Sequence, residues 1–335
     1  MEKFLTFDDV LIKPKFSKIQ SRKDVSIDSK IGSLHLKLPI ISANMDTVTN
    51  GDVAKVMYLE GGISCLHRFL SIEENILEFK QLKQANCNAI VSVGLGEYEL
   101  ERAFSLIEND AKIICIDVAH GAQLSVVEQY NNIKKKYKDI DIIVGNFATG
   151  ESILQFRELC SSEPLAFKVG IGGGAACLTR IQTGCGIPQL SSIIDSVKLN
   201  PKSNIISDGG CRYPGDIAKA LAVGAKAVML GSMLAGCDES PGEIINGNYK
   251  KYRGSASQES YEAQGKQAQW RTYEGDSFLI SYKGSLKNVL NNIQGGIRSS
   301  FTYVGANNLT EFQQLVELVE ISYATVKENT AHGKI

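Results

Sequence analysis

The chain predicts an α/β fold, a (β/α)8 TIM barrel with a lid inserted near its C-terminal end. Three observations carry this. Eight short apolar runs recur, at 38–43, 62–66, 88–93, 112–117, 140–144, 165–169, 203–208 and 226–231. They are continuous rather than alternating, as parallel strands buried on both faces are. Helix-like stretches at 72–84, 97–108, 122–136, 149–160, 190–197 and 214–222 separate them, which is the alternation of a barrel. An open doubly wound sheet is the alternative, but no Gly-x-Gly-x-x-Gly follows a strand near the N-terminus.

In chain order, residues 1–35 read as an irregular lead-in with a short hairpin. Each strand then ends in polar or glycine residues, where barrels keep their chemistry. Ala43-Asn44-Met45-Asp46 follows the first strand and His67-Arg68 the second. Asp117 ends the fourth, with His120-Gly121 beyond, and Gly145-Asn146 follows the fifth. Asp208-Gly209-Gly210 follows the seventh and Gly231-Ser232 the eighth. These last two pairs fall where this fold often builds a phosphate pocket from backbone amides; tight turns alone are the alternative. Asp117 and Asp208 could equally be helix N-caps, although two at one barrel end favour function.

Residues 244–284 break the rhythm with polar, Gly- and Ser-rich sequence, and an excursion at the catalytic end reads as a lid. Residues 310–328 read as a terminal amphipathic helix and 329–335 as a frayed tail with an idle His332. The whole of 1–335 is read as one barrel domain. Hydrophobic content of 43% supports a sizeable core, and a net charge of −1 gives no reason to expect nucleic acid. No run is long enough to span a membrane, and Met1–Val10 lacks a secretory pattern. Eight cysteines without a C-x-x-C pair suggest reduced thiols in the cytoplasm, and four histidines without helical pairing suggest no zinc centre.

The stretch after strand six, GIGGGAACLTRIQTGCGIPQ (170–189), is the most informative. Glycines at this density allow a sharp loop whose carbonyls can hold a cation and whose amides can hold a phosphate. Cys177 ends that loop, with Thr179 and Arg180 beside it. A nearby guanidinium favours a thiolate, so Cys177 is a candidate nucleophile. A buried packing cysteine is the alternative.

Several stretches together resemble the family of IMP dehydrogenase and GMP reductase. They are LTFDDVLIKPKFS (5–17), SANMDTVT (42–49), DVAHG (117–121), the cysteine loop, SDGGCRYPGD (207–216), MLGSMLAG (229–236), YRGSAS (252–257) and YKGSLKNVLNNIQGGIRSSFTYVGA (282–306). No regulatory insert follows strand two, the lid is short and carries no adjacent Arg-Tyr pair, and RTYEG (271–275) aligns with the reductase segment. These features favour the reductase.

The resemblance implies catalysis by Cys177, Thr179 and Glu274, reductive deamination of GMP, NADPH as cofactor and a cytoplasmic homotetramer. It implies that Asp208 holds ribose hydroxyls and that Gly209, Gly210, Gly231, Ser232 and Tyr252 hold phosphate. Met45, Gly254, Ser255, Ala256, Arg271 and Gly275 would complete the substrate site. Arg68, Asp117, Val118, Ala119, Asn146, Ile171 and Gly172 would face the cofactor. Ser21, Arg22, Ser299, Ser300, Phe301 and Thr302 match segments that reach a cofactor across a subunit boundary. Carbonyls of Gly172, Gly174 and Cys177, with Arg180, match a monovalent-cation (K+) site.

Five positions depart from the family pattern: Ala175 for a phosphate-binding serine, Gly173 for a proline, Ser255-Ala256 for Met-Ser or Met-Gly, and Tyr273 for a small residue. The alternatives are an NAD-dependent IMP dehydrogenase without its regulatory domain, and a barrel that acts on, or only binds, another purine nucleotide.

Overall fold

The computed structural model describes residues 3–265, 270, 272–322, 324–325 and 328–329. Eight parallel strands close into the predicted barrel. They are β1 (Ile40–Ser42), β2 (Ile63–Leu66), β3 (Ala89–Val93), β4 (Ile113–Asp117), β5 (Asp141–Phe147), β6 (Ala166–Val169), β7 (Ile205–Asp208) and β8 (Ala227–Leu230). β8 pairs with β1, Val228 opposite Ile40, which closes the ring. All residues of β1, β2, β3, β6 and β8 are buried, so the continuous apolar runs reflect strands covered on both faces.

The helices are α1 (Gly51–Leu59), α2 (Ile72–Gln84), α3 (Glu97–Glu108), α4 (Leu124–Lys136), α5 (Gly150–Leu159), α6 (Gln189–Leu199), α7 (Pro214–Ala222) and α8 (Leu286–Val304). Capping fixes several starts. Ser71 and Glu74 form a reciprocal capping box on α2, and Thr149 accepts from Ser152 N–H at the start of α5. Outside β5 and β6, Phe147, Phe156 and Phe167 pack edge to face with centroids 5.4–6.0 Å apart. Such pairs contribute about 1 kcal/mol each beyond buried area. They brace the two strands that carry Asn146 and Lys168.

The lead-in does contain a hairpin, Ser29–Ile31 paired with Leu34–Leu36. Among the described residues the expected continuous helix over 310–328 is not formed. A helix spans only Leu309–Leu315, and Leu318–Glu320 pairs antiparallel with Val10–Ile12. Val316 and Leu318, two residues apart, both pack on the core, which is strand rather than helix periodicity. Lys13 N–H donates to the Glu317 carbonyl at 2.9 Å and Ile321 N–H to that of Asp9 at 2.9 Å, extending the pairing. His332 lies outside the described residues.

The excursion after β8 is built on an antiparallel ribbon, Tyr249–Arg253 against Ser277–Ser281. A short helix, Gln258–Ala263, lies between its strands. Arg253 forks onto the Asp46 carboxylate, with Nε 3.2 and 3.1 Å from its two oxygens, and so ties the ribbon to the loop after β1. Among the described residues no helix is long and apolar enough to cross a membrane.

Candidate active site

The glycine loop after β6 owes its shape to two contacts. Gly170 has φ +145°, and a Cβ there would lie 2.0 Å from the Asp208 carbonyl oxygen. Gly172 has φ +80°, and its Cβ would meet Arg180 Cγ at 2.4 Å. Only glycine lets this backbone lie against β7 and under Arg180. Cys177 is half-buried and faces the cavity rather than the core. The packing alternative therefore fails.

Cys177 Sγ lies 3.2 Å from Thr179 Oγ1, whose hydroxyl donates to Glu274 Oε2 at 2.8 Å. Backbone bonds bring Glu274 to this place across 95 residues of chain. Leu178 N–H donates to the Glu274 carbonyl at 2.7 Å and Asp276 N–H to that of Ala176 at 2.8 Å. The lid is thus stitched to the cysteine loop on both sides of Cys177. Gly275 fits between Ser257 and Gly254, where a Cβ would meet Ser257 N at 2.7 Å.

A cavity of about 360 Å³ opens over this group. Its walls bring together most of the predicted positions: Met45, Arg68, Asp117, Val118, Ala119, Asn146, Ile171, Gly172, Gly174, Asp208, Gly209, Tyr252, Gly254, Ser255, Ala256 and Gly275. A second cavity of about 340 Å³ shares Met45, Asp208, Gly209 and Tyr252 and continues over Gly210, Gly231, Ser232 and Ala175. The Tyr252 hydroxyl is buried beside Gly231 and Met45 Sδ, and burial pushes its pKa up, so it remains a donor.

The floor is a charged network that the sequence reading missed. Lys168, 2% exposed, places Nζ 2.6 Å from Asp117 Oδ1 and 2.6 Å from Asp208 Oδ2, and bonds Asn146 Oδ1. Asn146 Nδ2 donates to Asp208 Oδ2 at 2.9 Å and Asn44 Nδ2 to Asp117 Oδ2 at 2.8 Å. Burial alone would lower the lysine's pKa; the two carboxylates reverse that and hold it above its ordinary value. Burial likewise works against ionised Asp117, but Lys168 and Asn44 outweigh it and the carboxyl titrates below its usual range. Neither aspartate caps a helix: the N-cap residue of α4 is Gln123 and that of α7 is Tyr213. A lone charge inside the apolar run 165–169 was the available signal for Lys168.

Other positions stand apart from the cavities. Ser299, Ser300 and Thr302 on α8 donate to carbonyls one turn back in their own helix. Phe301 is fully buried and stacked on Phe312 with centroids 4.0 Å apart, so its side chain is core and only its backbone remains available to a ligand. Ser21 caps the short helical turn Arg22–Asp24 on the surface. Arg271 lies outside the described residues. Arg180 is not directed at the thiol as expected: its Nη2 donates to the carbonyls of Ile187 at 2.6 Å and Ile171 at 3.3 Å. A guanidinium has no acceptor, so the Arg180 side chain cannot itself ligate a cation. Among the described residues no cluster of His, Cys, Asp and Glu could hold a metal.

The residues suit a dinucleotide at the Arg68–Asp117–Asn146 end. Arg68 Nε is buried without a partner, and a carboxylate and an amide stand together where a carboxamide could use both. A barrel whose strand ends bring a thiol, a hydroxyl and a carboxylate together beside two adjoining cavities fits the oxidoreductase class. The family model described as IMP dehydrogenase / GMP reductase domain matches residues 4–332, and the chain belongs to that family. It is 37% identical to GMP reductase 1 of Homo sapiens over 331 residues, covering 95% of both chains. It is 37% identical to GMP reductase of Phytophthora infestans, covering 95% of this chain and 91% of the relative. Inosine-5'-monophosphate dehydrogenase of Cryptosporidium parvum is 34% identical, with 98% and 95% covered.

Proposed function

We propose that this enzyme converts GMP to IMP and ammonia at the expense of NADPH, through a covalent bond between Cys177 and C2 of the purine. One observation carries the reading: the unbroken path from Cys177 Sγ through the Thr179 hydroxyl to the Glu274 carboxylate, at 3.2 and 2.8 Å. The thiol gives up its proton along this path and the sulfur attacks C2. Glu274, through Thr179, returns a proton to the 2-amino group, which leaves as ammonia. NADPH, when bound, supplies the hydride that C2 accepts as the carbon–sulfur bond breaks, regenerating the thiolate. GMP, NADPH and two protons thus become IMP, NADP+ and ammonium.

Asp208 holds the ribose diol, and amides of Gly209, Gly210 and Gly231 with Ser232 and Tyr252 hold the phosphate. Ala175 removes one hydroxyl from that pocket, at a cost of about 1 kcal/mol. Ser255, Ala256 and Met45 line the base, with Gly275 from the lid. Arg68, Asp117, Val118, Ala119, Asn146, Ile171 and Gly172 face the cofactor, joined across a cytoplasmic homotetramer by Ser21, Arg22 and the Ser299–Thr302 segment. A potassium ion would take the carbonyls of Gly172, Gly174 and Cys177.

The test mixes enzyme, GMP and NADPH and follows absorbance of the reduced nicotinamide together with ammonia. Equal rates of loss and release support the reading. Turnover of IMP with NAD+ and none of GMP would assign the dehydrogenase instead, and no turnover of either would leave a nucleotide-binding barrel.

A further inference from the structure

The phosphate-side cavity carries a residue that the functional reading does not use. Its outer wall is the helical turn Phe7–Asp9, held down by Lys219 Nζ, which donates to the Phe7 carbonyl at 2.8 Å. Facing Asp8 across the mouth stands Arg212, two residues beyond Gly210. Buried Asp216 accepts from the Arg212 N–H at 2.9 Å and the Tyr213 N–H at 3.2 Å, so the backbone is pinned while the side chain stays half exposed at the rim.

Two guanidinium groups line this cavity. Arg180 turns Nη2 onto the Ile171 and Ile187 carbonyls, while its Nε is buried without a partner. Arg212 is paired through Nη2 with the exposed carboxylate of Asp8, and its Cζ lies 5.7 Å from the Tyr213 ring. An exposed ion pair is weak, whereas a guanidinium fork on a phosphate makes two charge-assisted bonds. Apart from Arg180, the pocket offers neutral donors: backbone amides, Ser232 and the Tyr252 phenol. At Ala175 it also lacks the serine hydroxyl expected there.

We propose that Arg212 is a phosphate-binding residue of this enzyme. It leaves Asp8 to grip the 5'-phosphate of the nucleotide and supplies a positive charge at the mouth of the glycine cradle. Asp8 is then a competitor that holds the guanidinium at the mouth until a dianion arrives. This rests on the nucleotide reading above and adds to it a requirement for the phosphate charge.

The experiment titrates GMP and guanosine into wild type, Arg212→Ala, Arg212→Lys and Asp8→Asn by calorimetry, alongside steady-state kinetics. Arg212→Ala is expected to weaken GMP about tenfold, the worth of a charge-assisted hydrogen bond, and to leave guanosine within about twofold. KM should rise by a similar factor while kcat changes less than about threefold. Arg212→Lys should recover most of the loss because charge is retained, though not the fork. Asp8→Asn should tighten GMP about threefold, the scale of an exposed pair, with a steeper salt dependence. Equal GMP affinity in wild type and Arg212→Ala, or an equal loss for guanosine, overturns the proposal. Binding of GMP without turnover would defeat the catalytic reading and leave this comparison intact. Failure of the wild type to bind GMP would defeat both.

Discussion

Lys168 holds two carboxylates at the floor of the site, and replacing it by methionine should expose their repulsion. Each oxygen lies 2.6 Å from Nζ, so the two are within about 5 Å of each other. At an effective dielectric near 20 their repulsion is about 3 kcal/mol, in line with the ~3–5 kcal/mol lost on breaking a buried pair. Asp117 can escape by taking a proton. That route costs about 1.4 kcal/mol per pH unit above an ordinary pKa near 3.9, so about 5 kcal/mol at pH 7.5 but only about 1.5 at pH 5.

In the wild type the depressed Asp117 pKa stabilises the fold above about pH 4 and loses that effect as pH falls through the folded value. In Lys168→Met the sign reverses. The folded pKa lies above the unfolded one, and the penalty grows as pH rises between them. Urea unfolding at both pH values is the assay. The deficit should be about 3–5 kcal/mol at pH 7.5 and at least about 1.5 kcal/mol smaller at pH 5, with Lys168→Met/Asp117→Asn recovering part of it. A deficit below about 1 kcal/mol, or one independent of pH, would refute the reasoning.

Glu274→Gln and Thr179→Val should each lower kcat about 10²–10⁴-fold with nucleotide affinity nearly kept, checked by stopped-flow and calorimetry, since both interrupt proton transfer rather than binding. Gly275→Ala pushes a Cβ to 2.7 Å from Ser257 N, so it should unseat the lid and lower kcat/KM. Its thermal unfolding midpoint should stay close to wild type, because the lid lies outside the barrel. Phe301→Ala should cost about 3–5 kcal/mol in denaturant unfolding, as expected for a buried ring stacked on Phe312.

The barrel was legible because strands covered on both faces print as continuous apolar runs, and 165–169 and 226–231 fall where β6 and β8 form. The cysteine loop was legible because its glycines exceed what packing needs. Lys168 was hidden inside one of those same runs: a periodicity argument reads the strand and passes over the single charge that Asp117 and Asp208 retain there. The segment 316–321 was misread because apolar residues spaced for a helix also fit a strand, and the deciding partner, Val10–Ile12, lies some 300 residues away in sequence. Phe301 and Arg180 show a third limit. Their positions match binding segments, yet side-chain direction, into the core for one and onto carbonyls for the other, is set by packing that no local pattern encodes. The resemblance pairs Thr179 with Glu274; how the chain brings them together was not legible, because it depends on the lid's backbone bonds around Cys177.

The central claim is that Cys177 bonds to the purine and releases its amine before any reduction takes place. Intact-protein mass spectrometry of enzyme mixed with GMP alone and quenched in acid tests this most directly. The account predicts a species heavier by one GMP less ammonia, mapped by peptide analysis to Cys177 and absent from Cys177→Ala. An unmodified protein, from enzyme that nonetheless consumes NADPH with GMP, would contradict it.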